Sequence, residues 1–381
     1  PQQSTYMRIL YFSRTYTTHD RRFLREIVQA GHKVWYLQLE DDGIRYVADP
    51  PPDEVERLCW STGLSPRPTP EHFLPLLPEL DALLRRLRPD LVHAGPVLSC
   101  ALLCALVGFR PLLTVSWGSD ILVESSLNPW NEWAARYVLE RSDLFLCDCA
   151  PVKERAQTIH PLSNDTVIMF PWGIELARYR QNPEQRVLAR SRRGWDDCCV
   201  VVSTRSWHVS YGIDVVIEAF AACHKREHRL RLLLLGTGPA SPDVFNLIQR
   251  HGLAPAVWCP GQVAEHQMVD MLGMADIYLC CTPSDGTSIS LLEAMAMGLP
   301  VVVTNNVGNQ QWVNETNGIL VPPGDTAGFA HALEALARDP EKRQRLGQAG
   351  RRIVASRADW NRNIALLLEA YERGRSCASS R

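Results

Sequence analysis

The chain has 381 residues, 46% of them hydrophobic and 22% charged, with a formal net charge of -2 at pH 7. That length accommodates two α/β domains with separate cores, while the near-neutral balance gives no support to nucleic-acid binding and argues against strong electrostatic adhesion to anionic lipid. No apolar run approaches the roughly 18 residues of a membrane span, and no secretory leader is expected, because only the polar residues 1–6 precede the first strand.

The predicted elements alternate from the start. Residues 7–12 read as an apolar strand, 20–30 as an amphipathic helix closed by Gly31, and 33–39 as a second strand. Residues 49–70 carry Pro50, Pro51, Pro52, Pro66, Pro68 and Pro70 and read as a long rim loop, either shaping an acceptor site or forming a surface insertion. Helix 74–87 then pairs with strand 91–94, helix 100–107 with strand 112–116, and helix 132–140 with strand 144–147. The basic run Arg85-Arg86-Leu87-Arg88 reads as a solvated helix end, so membrane contact is at most weak and peripheral. The pattern breaks around Phe170-Pro171-Trp172-Gly173 and resumes with strands at 198–203, 231–235, 257–259, 277–281 and 301–304. Such alternation means parallel sheets covered by helices, with ligands at the carboxyl ends of the strands.

Twelve cysteines invite a metal or disulfide reading, but Cys147/Cys149, Cys198/Cys199 and Cys280/Cys281 lie in strand-like runs and none forms a C-x-x-C pair. Buried reduced thiols in a reducing, cytoplasmic compartment are expected, with no metal site.

The most informative stretch is Ser284-Asp285-Gly286-Thr287-Ser288-Ile289-Ser290-Leu291-Leu292-Glu293, closed by Gly298 and Pro300 ahead of the apolar run 301–304. A strand runs into a carboxylate-bearing loop and then into a helix whose first amides, around Thr287 to Ile289, face an anion such as a diphosphate. Glu293, about a turn and a half inside the helix, is placed to reach vicinal hydroxyls such as those of a ribose. The plainer alternative is that Asp285 and Thr287 cap an ordinary helix with Glu293 on its wet face.

The whole string resembles the carboxylate-seven residues-Glu signature of retaining GT-B glycosyltransferases, the family-four, glycogen synthase-like group, with Asp285 in the place of the usual first Glu. Other segments match in family order. Residues 167–175 resemble the interdomain strand, and Arg205, ahead of Tyr211-Gly212-Ile213-Asp214, matches the arginine of an Arg…Lys-Gly diphosphate clamp. Gly236-Thr237-Gly238-Pro239 matches a Gly-x-Gly-Pro turn, Pro260-Gly261-Gln262-Val263 a segment that meets the nucleobase, and residues 307–325 complete the signature. His93 in Val92-His93-Ala94-Gly95 looks like a first-domain strand end that enters the cleft.

Departures accompany the resemblance. Tyr211 stands where the clamp lysine is usual, and the first-domain histidine before glycine is replaced in Ser116-Trp117-Gly118-Ser119-Asp120. Asp120 or Trp117 takes over that contact to the sugar, or the two pack and cap. The Gly-Gly loop after the first strand is missing, and His19 stands at the following helix start, where it touches acceptor or phosphate unless Thr18 and Asp20 simply cap.

The resemblance implies a GT-B fold of two Rossmann-like domains, residues 1–173 plus 359–381 on the acceptor side and 174–358 on the donor side, with the last helix returning to the first domain. It implies transfer of a sugar from a nucleotide-diphosphate sugar to an acceptor hydroxyl, a small molecule, glycan or lipid-linked glycan, with retention and without a metal or other cofactor. Arg205, Asp285 and His93 are then the catalytic set. Glu293, Gly286, Thr287, Ser288, Ile289, Gly236, Gly238, Gln262, Val263 and Tyr211 line the donor, and His19, Trp117 and Asp120 are candidates on the acceptor side. The alternatives are a noncatalytic GT-B-like binding protein and a GT-B epimerase or phosphorylase.

Overall fold

Seven parallel strands, β1 (Arg8–Ser13), β2 (Lys33–Gln38), β3 (Glu56–Leu58), β4 (Leu91–Gly95), β5 (Leu112–Val115), β6 (Leu144–Cys147) and β7 (Val167–Met169), form one sheet of the computed structural model in the order β3-β2-β1-β4-β5-β6-β7. Six more, β8 (Cys199–Ser203), β9 (Leu230–Leu235), β10 (Val257–Gly261), β11 (Ile277–Cys280), β12 (Val301–Thr304) and β13 (Gly318–Val321), form a second in the order β10-β9-β8-β11-β12-β13. The structure describes residues 6–41, 49–63 and 69–379. Two units result: Pro1–Pro171 with Arg362–Arg381, and Trp172–Asn361.

The central strands read as unbroken apolar runs, the pattern of parallel sheets whose two faces are covered by helices. β4 is buried at every residue, as are the central strands β11 and β12 of the second unit. Each such buried Leu, Ile or Val contributes roughly 1.5–3 kcal/mol relative to an exposed one. Strand order reverses beside β1 and β4 in the first sheet and beside β8 and β11 in the second. A crevice for ligands opens at such switch points, beyond the strands' carboxyl ends. In the second unit the residues beyond these two ends are Arg205 and the loop Thr282–Ser288.

The first helix, Thr18–Gln29, is set by a capping box: Thr17 N donates to Asp20 Oδ2 at 2.7 Å and Asp20 N to Thr17 Oγ1 at 3.4 Å. The last helix, Trp360–Ser379, enters the first unit from residue 362. There Asn363 Nδ2 donates to the Pro171 carbonyl at 3.0 Å and Tyr371 Oη shares a 2.7 Å hydrogen bond with His93 Nδ1.

Two local expectations change. Part of the proline-rich stretch forms β3, an edge strand paired with β2, while residues 64–68 lie outside the described residues. The helix read at 74–87 begins as a turn at Pro70–Phe73 and a tight turn at Leu74–Leu76 before Leu77–Leu87, because Pro75 and Pro78 remove backbone donors. Among the described residues no helix is long and apolar enough to cross a membrane.

Candidate functional site

The loop after β11 is fixed from below before it reaches the helix Ile289–Ala296. Asn306 Nδ2 donates to the Thr282 carbonyl at 3.1 Å, and Asn309 N donates to Asn306 Oδ1 at 2.8 Å. Gly308 lies against this loop so closely that a Cβ there would overlap the carbonyl oxygens of Asp285 and Gly286. Thr287 and Ser288 are buried as a result. Ser288 is the N-cap residue, and Leu292 N is bonded to the Ser288 carbonyl at 3.1 Å. The amides ahead of Leu292 therefore lie at the positive end of the helix, where an anion is favoured.

Arg205 meets this helix start. Its Nη2 lies 3.0 Å from Asp285 Oδ2, its Nη1 donates to Ser288 Oγ at 3.2 Å, and its guanidinium carbon sits 4.3 Å from the Tyr211 ring centroid. The Arg205 and Asp285 side chains are only 16% and 19% exposed. Burial opposes the Arg205 charge, but Asp285 and then Tyr211 hold its pKa above the ordinary arginine value. Asp285 is anchored by Gly286 N, which donates to Oδ1 at 3.0 Å. Arg205, Asp285, Ser288 and Tyr211 thus form one cluster, and the ion pair of Arg205 lies within its own unit. Tyr211, standing where the clamp lysine is usual, offers the guanidinium an aromatic face.

Glu293 is 9% exposed and accepts a hydrogen bond from Tyr179 Oη on Oε1 at 2.5 Å. It lies in the body of its helix, not on a wet face. Tyr179 went unnoticed in the sequence, where only its position a few residues after the break at 170–173 was available as a signal. The Gly236 turn is tied to β10, with Gly236 N donating to the Gly261 carbonyl at 2.9 Å. Gly238 packs on the Trp207 carbonyl with no room for a Cβ, and Trp207 Nε1 donates to the Leu235 carbonyl at 3.0 Å. Gln262 and Val263 follow directly and are half-buried.

In the first unit the expectations divide. His19 and Trp117 pair at 5.2 Å between ring centroids and both remain partly exposed beyond the strand ends. His93, expected in the catalytic set, is a buried residue of its unit. It is 1% exposed, packs on Tyr11 at 4.4 Å and Phe23 at 5.8 Å, and bonds Tyr371. Burial pushes its pKa down to about 3, so the ring is neutral. Asp120 takes the packing and capping alternative: it accepts from Val97 N at 2.8 Å, Ser116 Oγ at 2.6 Å and Ile121 N at 3.1 Å. Burial raises its pKa to about 6.

Residues 17–178 match the family model described as Glycosyltransferase Family 4, and residues 198–353 the model described as Glycosyl transferases group 1. The alpha-D-kanosaminyltransferase of Streptomyces kanamyceticus is 28% identical over 245 residues, covering 62% of this chain and 62% of that protein. The match therefore spans less than two thirds of the relative's own length. In three dimensions the chain resembles sucrose-phosphate synthase of Thermosynechococcus elongatus, with a TM-score of 0.78 at 18% identity over 98% of this chain and 100% of that one. It also resembles Anabaena HepE, solved with UDP and glucose, with a TM-score of 0.77 at 18% identity over 96% and 99% of the two chains. Both likenesses show the fold.

Proposed function

We propose, the chain being a glycosyltransferase of the family-four GT-B group, that it moves a sugar from a nucleoside-diphosphate sugar to an acceptor hydroxyl with retention of anomeric configuration. The observation that carries the proposal is the coincidence of the largely buried Arg205 guanidinium with the start of the helix Ile289–Ala296. A buried cation and a helix start at one place make a site for the diphosphate, and Glu293 farther along the same helix takes the ribose.

The chemistry needs little more. As the bond between the anomeric carbon and the phosphate oxygen breaks, its electron pair stays on the diphosphate while positive charge builds on the sugar ring. Preorganised donors aimed at that phosphate lower the barrier. The acceptor oxygen forms its bond on the face the diphosphate leaves, and its proton passes to the departing phosphate oxygen. No protein nucleophile takes part, and in this reading Arg205 and the helix amides, not a metal, meet the leaving charge. Asp285 orients the sugar's hydroxyls, the Gly236–Gly238 turn lies by the phosphates, and the backbone at Gln262 and Val263 meets the base. His19 and Trp117 are the acceptor-side candidates of the first unit.

Thermal unfolding with UDP, GDP, ADP, TDP and their common sugar conjugates tests this, repeated on Glu293→Ala. Ligand at a hundredfold its Kd adds about 2.7 kcal/mol, so one nucleotide class should raise the transition and lose that effect in the variant. The matching sugar conjugate should then release nucleoside diphosphate with transfer to an acceptor. Absence of any shift across the panel overturns the proposal. Binding without turnover favours a noncatalytic sugar-nucleotide-binding protein.

A further inference from the structure

The segment that opens the second unit runs along the helix carrying Glu293 and is pinned at several points. Ile174 bridges to Asp359, Arg178 Nη1 donates to Glu265 Oε1 at 2.6 Å, and Gln181 Nε2 donates to the Met297 carbonyl at 2.8 Å. Between the last two lies Tyr179, 3% exposed, its ring in the same core cluster as Leu291 and Leu292 and its hydroxyl donating to Glu293 Oε1 at 2.5 Å.

We propose that Tyr179 is a positioning residue: its hydroxyl fixes the Glu293 carboxylate in the rotation that accepts both hydroxyls of a ribose, and so makes the site selective for ribonucleotides over nucleotides lacking that diol. The inference rests on the reading of Glu293 given above. A carboxylate has two oxygens with about four acceptor directions between them, and its last torsion is broad and soft. Left alone, it rotates and presents a diol with one oxygen as readily as two. A short hydrogen bond from a phenol whose ring is locked in a core removes that freedom before the ligand arrives. Preorganisation of this kind strengthens binding by cutting the ordering cost, and the gain falls only on ligands that use the carboxylate. Glu293 and Tyr179 are 114 residues apart in sequence, so neither implies the other.

The test separates positioning from plain structural support. UDP, GDP and ADP first identify the base that binds. Titration calorimetry then compares that nucleoside diphosphate with its 2′,3′-dideoxy analogue in the wild type and in Tyr179→Phe. The wild type should prefer the ribonucleotide by roughly tenfold, the worth of a hydrogen bond to a charged group. In Tyr179→Phe that preference should shrink to about twofold, with affinity for the dideoxy compound unchanged. Nucleotide-free thermal unfolding run in parallel separates a folding defect, because folded protein that binds the dideoxy analogue normally has an intact phosphate and base site. An unchanged ribose preference in Tyr179→Phe overturns the inference while leaving Glu293 in place. Equal loss of both ligands overturns it too, assigning Tyr179 to support of the fold. A wild type that binds both ligands equally removes the ribose role of Glu293 and this inference together, with the diphosphate site still standing on its own binding. A wild type that binds no nucleotide at all removes the donor reading itself.

Discussion

Arg205 Nη2 lies 3.0 Å from Asp285 Oδ2, so the cation expected to take a diphosphate and the carboxylate expected to orient a sugar are paired with each other. The pairing has a direction. Asp285 is held by the Gly286 amide, whereas the guanidinium rests on the Tyr211 ring and donates to Ser288 Oγ. A diphosphate bound at Arg205, as proposed above, would compete with Asp285 for the guanidinium.

That competition predicts an unusual phenotype for Asp285→Asn. Removing the competing charge should tighten binding of free nucleoside diphosphate by about threefold to tenfold, the scale of one partly buried charged contact. Turnover with the sugar conjugate should fall in the same variant, because the sugar loses its orienting carboxylate. Calorimetric titration and product release measure the two effects, and weaker nucleotide binding in Asp285→Asn refutes the competition.

Arg205→Ala should lower turnover by roughly 10²- to 10³-fold, the usual loss when an electrostatic donor aimed at developing charge is removed. Asp285 is then left without its partner in a largely buried place, so some stability should go with it. Steady-state rates at saturating donor decide the matter, and near-wild-type turnover would exclude Arg205 from the leaving-group site.

How much of this was legible in the sequence follows from how local each feature is. Arg205, Gly238, the loop at 285–288 and Glu293 could be singled out because each belongs to a short strand-turn-helix segment that resembles a family motif. Partnerships could not. Arg205 and Asp285 join distant segments that the strand order brings together at one switch point, and Tyr179 and Glu293 join segments 114 residues apart. The burial of His93 was hidden for the same reason: its ring is bonded to Tyr371 of the returning helix, 278 residues on. β3 escaped because Glu56 and Arg57 are exposed and Leu58 only half-buried, leaving no apolar alternation to read.

The buried His93 and Asp120 should give opposite pH signatures. His93 titrates near 6.5 when unfolded and about 3 when folded. Below pH 6.5 the unfolded chain binds the extra proton, so the stability that neutral His93 supports is lost as pH falls toward 3. Asp120 rises from 3.8 to about 6 on folding, so between those values the unfolded chain binds fewer protons and stability falls as pH rises. In denaturant titrations the advantage of wild type over His93→Phe should narrow on acidification, by at most about 1.4 kcal/mol per pH unit. Against Asp120→Asn it should narrow as pH rises from 4 toward 6. Parallel profiles for wild type and both variants would contradict these assignments.

Gly308 supplies the sharpest steric test of how the loop is held. Its backbone is ordinary right-handed helical, φ -69 and ψ -48, so an alanine is not strained by conformation. The obstacle is the neighbouring main chain: the added methyl would overlap the carbonyl oxygens of Asp285 and Gly286, which belong to a loop already tied down through Asn306. Neither side can yield as a flexible side chain would. Gly308→Ala should therefore cost about 1–3 kcal/mol, the range for overpacking, and displace Asp285 and the helix start with it, so nucleotide binding falls more than stability alone explains. Gly273→Ala is the matched control, since its methyl would meet only the flexible Met297 Cε at 3.8 Å. That variant should keep wild-type stability and nucleotide affinity. If Gly308→Ala behaves like it, the loop is not braced by the turn at 308 and the anion site must be held by other contacts.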